Sequence, residues 1–225
     1  MQTASWMLSA AAIVRIHDQL TRHWHEMSEG KTQEGPLVAT AGAEPPPTGE
    51  AAEFLARVAR QHRTNFDLWH IEDEARTPGA TDAALADVKR RIDATNQLRN
   101  DLAEDLDRVL MEWLTARGLP NPEAPLHSES PGLMIDRLSI QALKIYHTRE
   151  ESERAGAPQG HSERNRDRLT VLEEQRGDLA ACLDALWCET LEGRRRFKLY
   201  RQLKMYNDPS LNPAIYGKSA CGTND

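Results

Sequence analysis

Two histidines are each followed, three positions later, by a carboxylate: His70 by Asp73, and His147 by Glu150. Residues three apart in a helix lie on one face, so each pair presents an imidazole beside a carboxylate. Such pairs are suited to proton transfer or to metal binding, since histidine titrates near neutral pH. Di-iron bundles use the reverse order, Glu-x-x-His, with further glutamates that are not clear in this sequence. Metal binding by these four residues is therefore an alternative hypothesis.

Other charged groups fall within apolar helical patterns. Arg99 lies in the middle of a predicted helical seam, and Asp136 shares a stripe with His147 on a segment that is apolar almost all round. Burying a charge costs several kcal/mol unless an opposite charge or a ligand accompanies it. We therefore predict a polar cavity lined by these groups, with a lattice of buried ion pairs as the alternative.

A cavity lined by cationic side chains is suited to an anionic small molecule, because guanidinium grips phosphate or carboxylate through two parallel hydrogen bonds. The first hypothesis is a ligand of the sugar phosphate or nucleotide-sugar class. The side chains expected to bind it are Arg76, Arg99, Asn100, Arg137, Lys144, Lys204 and Asn207. The residues expected to do acid–base work are His70, Asp73, Asp136 and His147. The sequence has no glycine-rich phosphate loop and indicates no particular cofactor.

The remaining histidines indicate less. The patterns favour His17 and His62 as core histidines with satisfied hydrogen bonds. His23 and His25 are two positions apart, so they are expected to point in different directions from their helix. None of these four is predicted to belong to a site.

Helices must position all of these residues. Ala and Leu together number 53, against 14 for Val and Ile together, which favours helix and argues against a β-sandwich or barrel. Apolar residues recur with helical spacing between breaks rich in proline and glycine. We predict an all-α protein, an antiparallel bundle of five to six helices, with the sixth over residues 193–206.

The same breaks divide the chain. We predict an N-terminal helix over residues 1–29, a Pro/Gly-rich linker over 30–49, a helical-bundle domain over 50–216 and a flexible tail over 217–225. The apolar run at residues 10–14 is short and no positive charge precedes it, so it is not expected to be a signal peptide.

Charge and cysteine usage restrict the partners and the compartment. The chain has 28 Lys+Arg and 35 Asp+Glu, and this net charge of -7 argues against nucleic acid or an anionic membrane as the main partner. No run of about 18 apolar residues is present, so no membrane span is predicted. Three cysteines without a zinc-binding spacing are typical of reduced thiols, and we expect a cytoplasmic protein.

Seven segments of the sequence resemble an uncharacterised bacterial family of unknown function. They are FDLWHIEDEAR (66–76), KRRID (89–93), NQLRND (96–101), DRLSI (136–140), LKIYH (143–147), YRQLKMYNDP (200–209) and LNP (211–213). The resemblance covers roughly residues 65–216, and the combination is more specific than any single segment. The family signature consists largely of the charged residues that the helical pattern places inside.

The resemblance implies a setting. Members of the family are often encoded near glycosyltransferases of lipopolysaccharide and cell-envelope assembly, which implies a cytoplasmic role in glycan metabolism. A third hypothesis is therefore a non-enzymatic helper that docks onto a glycosyltransferase or onto a second copy of itself. A large exposed apolar face on the first helix would favour this hypothesis.

Overall fold

The computed structural model describes residues 8–28, 49–203 and 211. These residues form five helices: α1 (Ala10–Ser28), α2 (Glu50–Glu74), α3 (Asp82–Thr115), α4 (Pro131–Glu153) and α5 (His161–Leu191). The helices pack side by side, and α4 contacts each of the other four. The predicted all-α bundle is confirmed, with α4 as its central helix.

Local chemistry explains where these helices begin. The Thr81 side chain accepts a hydrogen bond from the backbone N–H of Ala84 at 3.3 Å, which caps the start of α3. Pro131 occupies the first turn of α4, where its missing N–H is not needed. Asp107 of α3 accepts from the backbone N–H of Gly132 at 2.6 Å and from the Ser130 hydroxyl, so a neighbouring helix caps α4.

The core lies between apolar stripes of all five helices. On α1, the side chains of Ile13, Leu20 and Trp24 are buried against the rest of the bundle. Each such side chain contributes about 1.5–3 kcal/mol when it is removed from water. The apolar face of α1 is therefore used inside the protein, and the exposed face expected of a docking helix is not found among the described residues of α1.

The prediction of a sixth helix is wrong for residues 193–203, which contain no helix. Gly193 ends α5 with a φ of 71°, a left-handed conformation that favours glycine. The backbone of Arg196 then pairs with the loop before α4: its N–H donates to the carbonyl of Pro125 at 3.1 Å, and its carbonyl accepts from His127 at 2.7 Å. This pairing holds the segment extended and seats Phe197 in the core.

Other expectations fall on residues that the structure does not describe. These are residues 204–206 of the sixth helix, residues 30–48 of the predicted linker and the predicted tail at 217–225. Among the described helices, none is both long enough and apolar enough to cross a membrane. Cys182 and Cys188 of α5 are free and exposed.

Candidate functional site

Three histidines from three helices meet at one place in the bundle. His25 comes from α1, His70 from α2 and His147 from α4. The ring centroid of His25 lies 5.2 Å from that of His70 and 4.9 Å from that of His147, and the other two rings are 6.1 Å apart. We refer to these three residues as the histidine cluster.

The helical repeat explains why these side chains meet. His25 lies four and eight positions after Thr21 and His17, and all three are buried on one face of α1. His70 lies four and eight positions after Phe66 and His62, which are likewise buried on α2. This face of α1 packs against the face of α2 that carries His62, Phe66 and His70, and both faces lie beside α4.

Hydrogen bonds orient two of the three imidazoles. Nδ1 of His25 lies 2.7 Å from the backbone carbonyl oxygen of Thr21, and Nδ1 of His147 lies 3.1 Å from a carboxylate oxygen of Glu150. A carbonyl and an ionised carboxylate only accept hydrogen bonds, so Nδ1 is the donor in both rings. The second nitrogen, Nε2, points elsewhere in each case.

The opposite edges of these rings have no hydrogen-bond partner. Nε2 of His25, Nδ1 of His70 and Nε2 of His147 are all buried, and none bonds to another atom in the described part of the chain. Buried polar atoms are nearly always hydrogen-bonded, and leaving one unpaired costs about 1–3 kcal/mol. Three such atoms in neighbouring rings make the histidine cluster the candidate binding site.

Burial keeps two members of the cluster uncharged. It is the main cause that lowers the pKa of His70, and the nearby His25 adds to it against the opposing effects of Asp73 and Asp67. Burial and then His25 also lower the pKa of His147, although Glu150 acts in the opposite direction. Both imidazoles are therefore neutral at pH 7, and the His147–Glu150 contact is a hydrogen bond of a neutral ring.

Aromatic rings surround the cluster. The Trp69 ring stacks on His147 with a centroid distance of 4.9 Å and an angle of 8° between the planes. Tyr146 stacks on His25 at 4.3 Å, and Phe66 stacks on His70 at 4.4 Å. These flat faces restrict the orientation of each imidazole, and Trp69, which is partly exposed, covers His147 on one side.

A second group of polar residues, here called the buried polar chain, runs from Thr21 to Asp136. The Thr21 hydroxyl lies 2.9 Å from Nε2 of His62, whose Nδ1 lies 2.7 Å from the Ser139 hydroxyl. The Asn65 amide donates to both Ser139 and Asp136, at 2.9 and 3.0 Å. Thr21 belongs to both groups, since its carbonyl holds His25 and its hydroxyl meets His62.

The prediction that His17 and His62 are core histidines is correct as to burial. His62 has partners at both nitrogens, including the carbonyl of His17 at 3.1 Å, and burial lowers its pKa to about 3. His17 differs, because neither of its ring nitrogens has a partner among the residues described. Burial also lowers the pKa of His17 well below the usual value, so both rings are neutral.

The predicted acid–base residues are divided between these two groups and the surface. His70 and His147 belong to the histidine cluster, and Asp136 ends the buried polar chain. Asp73 is exposed and pairs with Arg76, just beyond the end of α2, at 3.0 Å. No set of three or more His, Cys, Asp or Glu side chains in the described ranges is arranged to hold a metal ion. The structure therefore gives the metal alternative no support.

Among the described residues, the predicted cationic cavity is not found. Arg76 and Arg137 are exposed and pair with nearby carboxylates, Arg137 with Glu129 at 2.8 Å, and Lys144 is exposed as well. The expectation that these three point inward is wrong, because long, flexible side chains extend their charges into water. Of the other predicted ligand-binding residues, Arg99 is partly buried and bonded to Asp136, and Asn100 is partly buried. Lys204 and Asn207 lie outside the described residues.

The sequence patterns missed His25, which the structure buries beside two predicted site residues. His25 was judged by its spacing from His23, two positions earlier, and that spacing gave no reason to assign it to a site. The informative signal was the spacing of His17, Thr21 and His25, four residues apart, because this spacing places three polar groups on the apolar side of one helix.

The comparisons with known proteins give one family. The profile described as "Protein of unknown function (DUF4254)" matches residues 55–199, which is more than half of the chain. The matched residues contain His70 and His147 but not His25. No curated protein and no solved structure matches the chain.

Proposed function

Because the chain belongs to the DUF4254 family, whose description names no activity, we propose a function from geometry: the protein binds a small anionic molecule at the histidine cluster. The observation that carries the proposal is the set of three buried, unpartnered ring nitrogens on His25, His70 and His147 among the described residues. A ligand that bonds to them removes the cost of leaving them unpaired.

One cation lies beside the cluster. The guanidinium carbon of Arg63 lies 5.3 Å from the ring centroid of Phe66, which itself stacks on His70. Arg63 is exposed and pairs with Asp67 at 2.8 Å, and its terminal N–H groups can donate to an anionic ligand. The binding residues of this proposal are thus three histidines and Arg63, instead of the surface cations Arg76 and Arg137.

The sugar phosphate or nucleotide-sugar class remains the proposed class of ligand. Aromatic faces such as that of Trp69 suit the apolar face of a sugar ring, and partial exposure of Trp69 allows its side chain to move when a ligand enters. The setting that the resemblance implies, near glycosyltransferases of cell-envelope assembly, supports the same class, and we propose that the protein binds this ligand in the cytoplasm. Histidines with a lowered pKa are also able to act as general bases on such a ligand.

The test is a titration of the full chain with sugar phosphates and nucleotide-sugars, followed by side-chain ¹⁵N spectra of the histidines. We expect at least one compound to shift the signals of His25, His70 and His147, and to leave that of His127 unchanged. His147→Gln should weaken binding by about tenfold or more, because one hydrogen bond in a buried site is worth about 1.4 kcal/mol or more.

His23→Gln is the matched control, since His23 lies on α1 but outside the cluster. It should bind like the unaltered protein. Ligand-induced shifts confined to His127 or His161, or the same loss of affinity in both variants, would show that the cluster is not the binding site.

A further inference from the structure

The hydrogen-bond pattern of the cluster determines what kind of anion it accepts, provided that the proposed binding function is correct. A neutral imidazole carries a single N–H. In His147, which burial keeps neutral, this hydrogen is on Nδ1, facing Glu150. Its Nε2 therefore presents a lone pair, which accepts a hydrogen bond and repels an anion that has no hydrogen to give.

We propose that the ligand group bound here is a phosphate monoester that brings its own proton, and that its P–O–H donates to Nε2 of His147. The second pKa of a phosphate monoester is about 6, so the singly ionised form with its hydroxyl is readily available near neutral pH. A sulfate ester is fully ionised and has no such hydrogen. The cluster thus distinguishes two anions of nearly the same size and shape.

The charges around the cluster act in the same direction. Asp67 and Asp73 on α2 and Glu150 on α4 influence its imidazoles, and Arg63 is the nearby cation. Nε of Arg63 donates to Asp67 at 2.8 Å, and this ion pair neutralises much of the positive charge of Arg63. A fully ionised anion therefore meets more negative than positive charge, whereas a singly ionised phosphate meets less repulsion and makes an additional hydrogen bond.

Burial supports this selectivity. It holds the pKa of His70 and of His147 below the usual value, so these rings resist becoming cationic donors at neutral pH. At lower pH the His147 ring gains a proton, and its Nε2 then becomes a donor to any anion. The preference for phosphate over sulfate is therefore expected near neutral pH and is lost in acid.

The experiment compares inorganic phosphate with inorganic sulfate on the full chain, by histidine ¹⁵N titration and calorimetry. Near pH 7.5 phosphate should bind about tenfold or more tightly than sulfate, and this ratio of affinities should fall as the pH is lowered. Calorimetry near pH 7.5 in two buffers of different ionisation heat should show net proton uptake when phosphate binds, because more than half of free inorganic phosphate is then doubly ionised.

The long-range ¹H–¹⁵N spectrum of the free protein reports the ring tautomers without any ligand. It should show hydrogen on Nδ1 of His147 and none on its Nε2. Hydrogen on Nε2 of His147 would overturn the inference, as would equal affinity for the two anions near pH 7.5. If the tautomers are as expected and neither anion binds at about 20 mM, the proposed function itself is wrong, and the selectivity falls with it.

Discussion

Arg99 of α3 grips Asp136 of α4 through two parallel hydrogen bonds, from Nε to Oδ1 at 2.8 Å and from Nη2 to Oδ2 at 2.5 Å. The same carboxylate accepts from the side-chain amides of Gln61 and Asn65 on α2. One buried carboxylate therefore joins three helices, and its partners satisfy a charge that would otherwise be expensive to bury. Hydrogen bonding to Asp136 raises the pKa of Arg99 above its usual value.

Replacing Arg99 should destabilise the fold. In Arg99→Met, Asp136 keeps its amide partners but loses its opposite charge, and we expect a loss of about 3 kcal/mol in the free energy of unfolding. Urea denaturation measures this loss. Arg137→Met is the control, because the Arg137–Glu129 pair is exposed to solvent and should contribute less than about 1 kcal/mol. Equal losses in the two variants would contradict the role assigned to Arg99.

Gly132 is required where α3 and α4 approach each other. A Cβ at this position would lie 2.3 Å from the carbonyl oxygen of Ala103 and 2.8 Å from Cγ of Asp107. Gly132→Ala should therefore cost at least about 2 kcal/mol of stability, since backbone must move to accommodate it. Gly177→Ala is a matched control within α5, where a Cβ meets nothing among the described residues.

Gly177→Ala should leave stability unchanged or raise it by about 0.5–1 kcal/mol, because alanine is the better helix former. Thermal and urea denaturation of the two variants check both expectations. A stable Gly132→Ala variant would show that the two helices do not approach as closely as described.

His62 should make the protein less stable in acid. Burial lowers its pKa from 6.5 to about 3 in the folded state, so the unfolded chain binds this proton first as the pH falls. Between pH 6.5 and about 3 this linkage removes up to about 1.4 kcal/mol per pH unit. Between pH 7 and pH 5, His62→Gln should lose less free energy of unfolding than the unaltered protein, as measured by urea denaturation. His127→Gln should leave the difference unchanged.

Asp107 should have the opposite effect on stability and make the protein more stable as the pH falls. Burial raises its pKa from 3.8 to about 6, although Ser130 and Gly132 donate hydrogen bonds to it. The folded state then binds the proton more tightly than the unfolded chain, so this group favours folding increasingly as the pH falls from about 6 toward 4. Relative to Asp107→Asn, the unaltered protein should gain up to roughly 3 kcal/mol between pH 7 and pH 4. A difference that is independent of pH would contradict this assignment.

Helical periodicity was sufficient to predict the bundle and the central place of α4, since both follow from which residues are apolar. The periodicity did not identify which polar face of one helix packs against which face of another helix. Arg99 and Asp136 were both expected inside, but their pairing depends on the packing of α3 against α4. The need for Gly132 likewise exists only once the two backbones are close.

The errors have equally specific causes. Arg76 and Lys144 were placed inside from the pattern of their helices, yet flexible side chains carry their charges to water. Residues 193–203 have the composition of a helix, but backbone pairing of Arg196 with the loop before α4 and burial of Phe197 favour an extended course. Both outcomes are decided by tertiary contacts, which local patterns do not contain.

α1 supplies His25, whereas the other two imidazoles lie on α2 and α4. A minimal expression fragment that started at α2 would therefore lack one third of the cluster and the carbonyl of Thr21 that orients it. It would also uncover the rings of His62 and Phe66, which pack against Trp24 of α1 and are buried in the intact chain. Work on shortened versions of this protein should retain the first helix, since removing it would abolish the complete constellation and invite aggregation.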